Sequence, residues 1–194
     1  MQYNLTISGR DYDSLQKHLY PGDGKEAVAI AICGRQKNKQ QKRLLVHEIV
    51  PIPYEDCFIR EPNLVKWSTK LFIPYLEKAA KKGLGILKIH SHPNGYESFS
   101  ITDDTSDKEL FESIYGWMEN EEPHASAIML PDGEIFGRIF HLNLDHQPID
   151  KINIVGDDLP FWFKIKNKGI ADFELRTAQA FGEGTTNKFK KLRI

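Results

Sequence analysis

Cysteine is scarce, with two among 194 residues, Cys33 and Cys57. They make neither a Cys-x-x-Cys pair nor a disulfide framework, so a reduced, cytoplasmic setting is expected. Both thiols read as small core residues rather than nucleophiles. No apolar run approaches the roughly 20 residues that span a bilayer, so no membrane partner is expected. The opening residues Met1 to Thr6 carry no basic stretch followed by an apolar one, and a secretory leader is not expected. Excess charge is missing too: 26 basic and 27 acidic residues leave a net charge of −1. That balance lacks the basic footprint of a nucleic-acid binder. No internal repeat is visible.

What remains is 40% hydrophobic and 27% charged, enough for one domain with a substantial core. Residues 5–8 read as a first strand and residues 11–20 as a helix, with Leu15 and Leu19 four apart on one face. Pro21-Gly22-Asp23-Gly24 is a turn. Glu26 to Gly34 reads as a buried strand and Leu44 to Ile52 as its return. Between them, Arg35 to Arg43 is polar and basic and reads as a solvated hairpin loop. Residues 53–63 look irregular, and Trp67 to Lys82 reads as a helix, interrupted at Pro74 and ended by Gly83. A buried strand over 84–89, a helix over 104–119 and a hairpin around Pro131-Asp132-Gly133 follow. In the helix over 104–119, Leu110, Ile114, Trp117 and Met118 are expected on the packed side. This order predicts an α/β fold, a mixed β-sheet flanked by helices.

The chemistry concentrates at Ile89-His90-Ser91-His92-Pro93 and the residues after it. Positions i and i+2 of a strand share a face, so His90 and His92 project together, about 6.6 Å apart along the backbone. Pro93 stops ladder pairing and Gly95 lets the chain turn. Asp103 then arrives at a helix start and can supply a carboxylate oxygen. Two histidines and one carboxylate, with a fourth position left for water, make a catalytic zinc arrangement. A plainer reading of Ser100-x-x-Asp103 is a capping box.

The set His90, His92, Pro93, Ser100 and Asp103 resembles the motif of the JAMM/MPN+ (JAB-type) zinc metalloproteases. The resemblance covers roughly the first 145 residues. It implies the MPN (JAB) fold, a cytidine-deaminase-like sandwich, and one zinc per chain on His90, His92 and Asp103. It also implies that Glu26 is the general base, although Ala29-Ile30 stands where the family usually has a mid-strand glycine. Glu48 on the return strand is the fallback. Ser100 is implied as the oxyanion donor and Asp107 as a supporting acid. The remaining histidines, at 18, 47, 124, 141 and 146, have no motif context and read as structural or surface residues. The implied activity is an isopeptidase or endopeptidase acting after the C-terminal glycines of a ubiquitin-like protein. A non-catalytic MPN scaffold and a regulatory module of an adenylyltransferase are the rivals. A zinc nucleobase deaminase would need His-x-Glu and Pro-Cys-x-x-Cys, and neither occurs.

Residues 146–172 change character and read as a linker with an edge strand and an aromatic anchor, Phe161-Trp162-Phe163. Residues 173–194 resemble the helical lead-in of ThiF-like adenylyltransferases. The expected organisation is therefore a metalloprotease domain over 1–145, the linker, and a lead-in to a fused adenylyltransferase domain.

Overall fold

The computed structural model describes residues 1–163. Polar and apolar residues alternate from Gln2, so β1 (Gln2–Ser8) buries Tyr3, Leu5 and Ile7 on one face. Ser8 caps the next element, its hydroxyl accepting from the Asp11 N–H at 3.1 Å. That element is α1 (Gly9–Leu19), which buries Leu15 and Leu19.

β2 (Val28–Lys37) and β3 (Gln41–Pro51) form an antiparallel hairpin. The basic stretch is thus mostly strand, not loop. Only residues 38–40 turn, because the Asn38 side chain accepts from the N–H groups of Gln40 and Gln41. A second departure follows. Where irregular chain was expected, β4 (Cys57–Glu61) and β5 (Leu64–Trp67) form a separate two-stranded sheet. Trp67 therefore ends a strand. The helix α2 (Ile73–Lys82) begins six residues later, after a 3-10 turn, with Pro74 in its first turn. No intrahelical N–H is needed there, so the proline starts the helix rather than interrupting it. Gly83 closes α2 at φ 64°, as expected of a C-terminal glycine.

β6 (Gly85–Ser91) is buried throughout. α3 (Ile101–Trp117) starts three residues earlier than its apolar pattern suggested. β7 (His124–Met129), β8 (Ile135–Phe140), β9 (His146–Pro148), β10 (Lys151–Val155) and β11 (Phe161–Phe163) complete the described chain.

The nine-stranded sheet runs β11-β10-β1-β3-β2-β6-β7-β8-β9. It is mixed: β1 lies parallel to both β10 and β3, and β6 parallel to β7. α1 covers one face, over Leu5, Ile7, Leu87 and Ile89. α2 and α3 cover the other, over Ile30, Ile32 and Ile86. The turn between β9 and β10 ties distant strands together. The Ile149 N–H donates to the Gly137 carbonyl and the Asp150 N–H to that of Tyr3. The sheet therefore curls on itself. This is the expected α/β arrangement of a mixed sheet with flanking helices. Through residue 163, the segment expected as linker contributes β9, β10 and β11 to the same sheet. The lead-in over 173–194 lies outside the described residues.

Candidate metal centre

Strand alternation sorts β6 by chemistry. Leu87 and Ile89 point into the α1-side core, while Ile86 joins the core on the α3 side. Lys88 and His90 share the face of Ile86, by the period of two. α3 meets that face with Asp103 and Asp107, four residues apart and both buried. His92 lies just beyond the strand, its N–H donating to the Met129 carbonyl at 3.1 Å. Gly95, at φ 74°, turns the chain back. The Tyr96 carbonyl then reaches the His92 ring, 2.7 Å from Nδ1. That bond places the proton on Nδ1 and leaves the Nε2 lone pair free, the usual support for a metal-binding histidine.

Three donors converge. His90 Nε2 is 3.2 Å from His92 Nε2 and 3.0 Å from Asp103 Oδ1. His92 Nε2 is 3.5 Å from Asp103 Oδ2. All three residues are buried and their ligand atoms lie within 4.8 Å of one another. The set fits zinc. Its nitrogen ligands, at about 2.0–2.1 Å in tetrahedral geometry, stand roughly 3.3 Å apart. Two imidazole lone pairs facing at 3.2 Å need a cation or proton between them. Burial lowers the pKa of His90 and so favours the neutral, ligating form. Burial acts against the Asp103 carboxylate, yet the adjoining His90 and His92 rings and the Ser100 donors outweigh it and hold Asp103 well below the usual carboxylate range. If the trio holds zinc, purified protein carries about one equivalent, and the His90→Ala, His92→Ala double variant carries almost none by elemental analysis. Full occupancy in the double variant would exclude this site.

Glu26 sits just ahead of β2, not inside it, and is 5% exposed. Its N–H donates to the Glu61 carbonyl at 2.9 Å, so the β4–β5 hairpin holds its backbone. Its Oε1 is 4.0 Å from His92 Nε2. Burial pushes its carboxyl up to about 7, with His92 acting against the shift and Asp103 with it. Glu48, by contrast, is ion-paired with Lys78.

Ser100 caps α3 in a full capping box. Its hydroxyl accepts from the Asp103 N–H at 3.1 Å and donates to Asp103 Oδ2 at 2.7 Å. The Ser100 N–H donates to the same oxygen at 2.7 Å. Oδ2 is thus anchored, and Oδ1 faces His90. Asp107 does not join the trio. It bonds Lys88 Nζ at 2.6 Å and Arg138 Nη2 at 2.8 Å, and all three groups are buried.

The family model of prokaryotic homologs of the JAB domain matches residues 10–136. The chain belongs to this JAB-domain family. No curated protein matches it. Among solved structures, the solution structure of protein DSY2949 from Desulfitobacterium hafniense is similar, with a TM-score of 0.51 and 14% identity. That likeness covers 79% of this chain and 94% of the other, and it concerns the fold. The mixed sheet with its flanking helices is consistent with the JAB/MPN fold, and the family includes metalloproteases. No helix among the described residues is long and apolar enough to cross a membrane.

Sequence reasoning missed three supports of the JAB site. The Tyr96 and Glu61 carbonyls carried no signal, since any residue has one. Lys88 did carry one: a lysine amid apolar strand residues demands a buried partner, and Asp107 supplies it. Of the five other histidines, His124 is fully buried and accepts from the Ile86 N–H through Nδ1. His18 stacks on Tyr54.

Proposed function

We propose that this JAB domain is a zinc-dependent isopeptidase or endopeptidase that cleaves after the C-terminal glycines of a ubiquitin-like protein. The observation that carries the reading is the Glu26 carboxylate, buried beside the trio of His90, His92 and Asp103. A ligand set alone would suit a structural ion, whereas a neighbouring base suits hydrolysis. The substrate class comes from the motif resemblance.

Zinc on these residues would supply a Lewis acid and a water of lowered pKa. The chain's own residues do the rest. Glu26 takes the proton of the attacking water at a carboxylate oxygen and returns it to the leaving nitrogen. Burial raises its proton affinity toward the value that suits both halves of that task. The Tyr96 carbonyl keeps the His92 ring in one orientation. The Ser100 hydroxyl can rotate from Asp103 toward the developing oxyanion, because Oδ2 keeps the Ser100 N–H. A cleft of about 790 Å³ runs from Ser98 and Phe99 past Phe136 to Trp162. Its lining includes Asp104, the residue after Asp103, but none of the three ligands.

The test is cleavage of linear fusions and isopeptide conjugates of ubiquitin-like proteins by the zinc-loaded chain, with chelator as control. Absence of any cleavage would favour a scaffold or a regulatory module of an adenylyltransferase. Ser100→Ala separates its two roles. Loss of the cap costs about 1 kcal/mol of stability in either case. Loss of an oxyanion donor lowers kcat by about 10²–10³-fold. A stability loss with unchanged kcat would leave Ser100 a cap alone.

A further inference from the structure

The first two turns of α3, which carry Asp103, bury no apolar side chain. Ile101 is 85% exposed, and Thr102 and Thr105 face solvent. The buried residues of the helix ahead of Phe111 are Asp103 and Asp107. A helix is ordinarily held in place by packing an apolar face. Here carboxylates make the attachment, so the cations that receive them decide where this end of α3 sits.

The sheet supplies those cations in one row. Lys88, Ser126 and Arg138 are successive partners across β6, β7 and β8. Partners across a ladder share a face, so all three lie under α3. Lys88 reaches Asp107 and the Ser106 hydroxyl, both beyond Asp103 in the chain. Arg138 reaches further. Its Nε and Nη2 donate to Asp107 Oδ2 at 3.2 and 2.8 Å, and its Nη1 donates to Asp104. Its guanidinium carbon also lies 3.8 Å from the centroid of the Phe99 ring, a cation–π contact. Phe99 immediately precedes Ser100, and Asp104 immediately follows Asp103. The two residues of the centre that α3 contributes therefore lie between two grips of a single side chain.

The capping box fixes Ser100 and Asp103 relative to each other. It does not tie them to the strand that bears the histidines. Arg138 makes that tie, through β8 and β7 to β6. We propose that Arg138 is a positioning residue for the metal centre, holding the start of α3 so that Asp103 and Ser100 stand opposite His90 and His92. The proposal rests on the reading of the trio as a zinc site. Arg138 acts through Phe99, Asp104 and Asp107, and its planar fork suits the task. Its separate N–H edges serve two carboxylates while its face meets a ring, which a lysine ammonium cannot do.

The experiment measures the zinc affinity of the 194-residue chain by competition with a chromophoric chelator, with Tm recorded for each variant. Arg138→Lys keeps the charge and loses the fork, and it is expected to weaken zinc binding by about 10–100-fold, as for other partners that orient metal ligands. Asp104→Asn removes one grip and should weaken zinc by a smaller factor at nearly unchanged Tm, because its carboxylate is 45% exposed and Arg138 keeps Asp107. Leu15→Ala, in the core on the α1 side, is the control. It lowers Tm by leaving a cavity, yet should bind zinc as wild type does, since a chain that stays folded keeps its intrinsic affinity. Wild-type affinity in both Arg138→Lys and Asp104→Asn would overturn the proposal. So would an equal loss in Leu15→Ala, which would make the effect one of general stability. If Arg138→Lys does not fold, Asp104→Asn decides alone. Absence of zinc from the wild-type chain would overturn the metal reading itself, and this inference with it. Because the readout is affinity, it judges Arg138 whether or not a ubiquitin-like substrate is cut.

Discussion

Glu26→Gln is expected to keep a full equivalent of zinc and to lose about 10²–10⁴-fold in kcat, the usual contribution of general acid–base catalysis. The substitution preserves size and removes only the proton-accepting oxygen. Zinc should stay because Glu26 is outside the trio of His90, His92 and Asp103. The backbone should hold because its bond to the Glu61 carbonyl uses the main-chain N–H. The measurements are elemental analysis and single-turnover cleavage of a ubiquitin-like fusion. Activity within a few-fold of wild type would remove Glu26 from the mechanism. Glu48 would not replace it easily, since Lys78 holds it. Loss of zinc together with activity would instead make Glu26 a ligand.

The second large effect concerns folding. Asp107→Ala should destabilise the domain by about 3–5 kcal/mol, the cost of breaking a buried pair. Lys88 and Arg138 would be left with side chains 6% and 5% exposed and their shared counterion gone. Arg138 retains Asp104, but Lys88 has only the Ser106 hydroxyl. Combining Asp107→Leu with Lys88→Met should recover part of the loss, because both stranded charges of that pair are then absent. Urea unfolding of the single and double variants decides it. A single-variant cost under about 1 kcal/mol would mean that Lys88 rehydrates. The pH dependence has a definite sign. Burial opposes the Asp107 carboxylate, but Lys88 and Arg138 prevail and depress its pKa. Its contribution is present above the ordinary carboxylate pKa and is lost as pH falls through the depressed value.

Asp107 also marks where the sequence was hard to read. In α3 the packed side was expected to carry Leu110, Ile114, Trp117 and Met118. Ile114 and Met118 are buried and Leu110 packs against the same core, but Asp103, Asp107, Phe111 and Tyr115 are buried as well, and Trp117 is 46% exposed. Hydrophobic periodicity counts carboxylates as outward-facing. Here two of them extend the inward stripe, which the apolar pattern alone showed only in part. The same cause hid the first turn of α3, whose packed residue is Asp103. The basic run from Arg35 misled similarly. Lysine and arginine suggested a loop, but a strand tolerates them where a cavity and Glu122 receive the charges. By contrast, β6 was legible because alternation, Pro93 and Gly95 all agree. The convergence of His90, His92 and Asp103 follows from two local periods, two in the strand and one capped helix start. No long-range information was needed for it. The β4–β5 hairpin beside Glu26 had no such local signature, since Cys57 to Trp67 contains neither clean alternation nor a glycine turn.

The pairing of β1 with β10 sets the order of events at the ribosome. Asn4 and Lys151 are partners in the sheet, and Tyr3 and Asp150 are bonded across 147 positions. At about 5–20 residues per second, the strand made first waits roughly 7–30 s for that neighbour. β3 can cover one of its sides early, but the other stays an open row of N–H and C=O groups throughout. The nascent chain is then a template for strand addition by a second nascent chain. Protection arrives only when residues 149–155 emerge, so the risk of misassembly is confined to synthesis and ends with it.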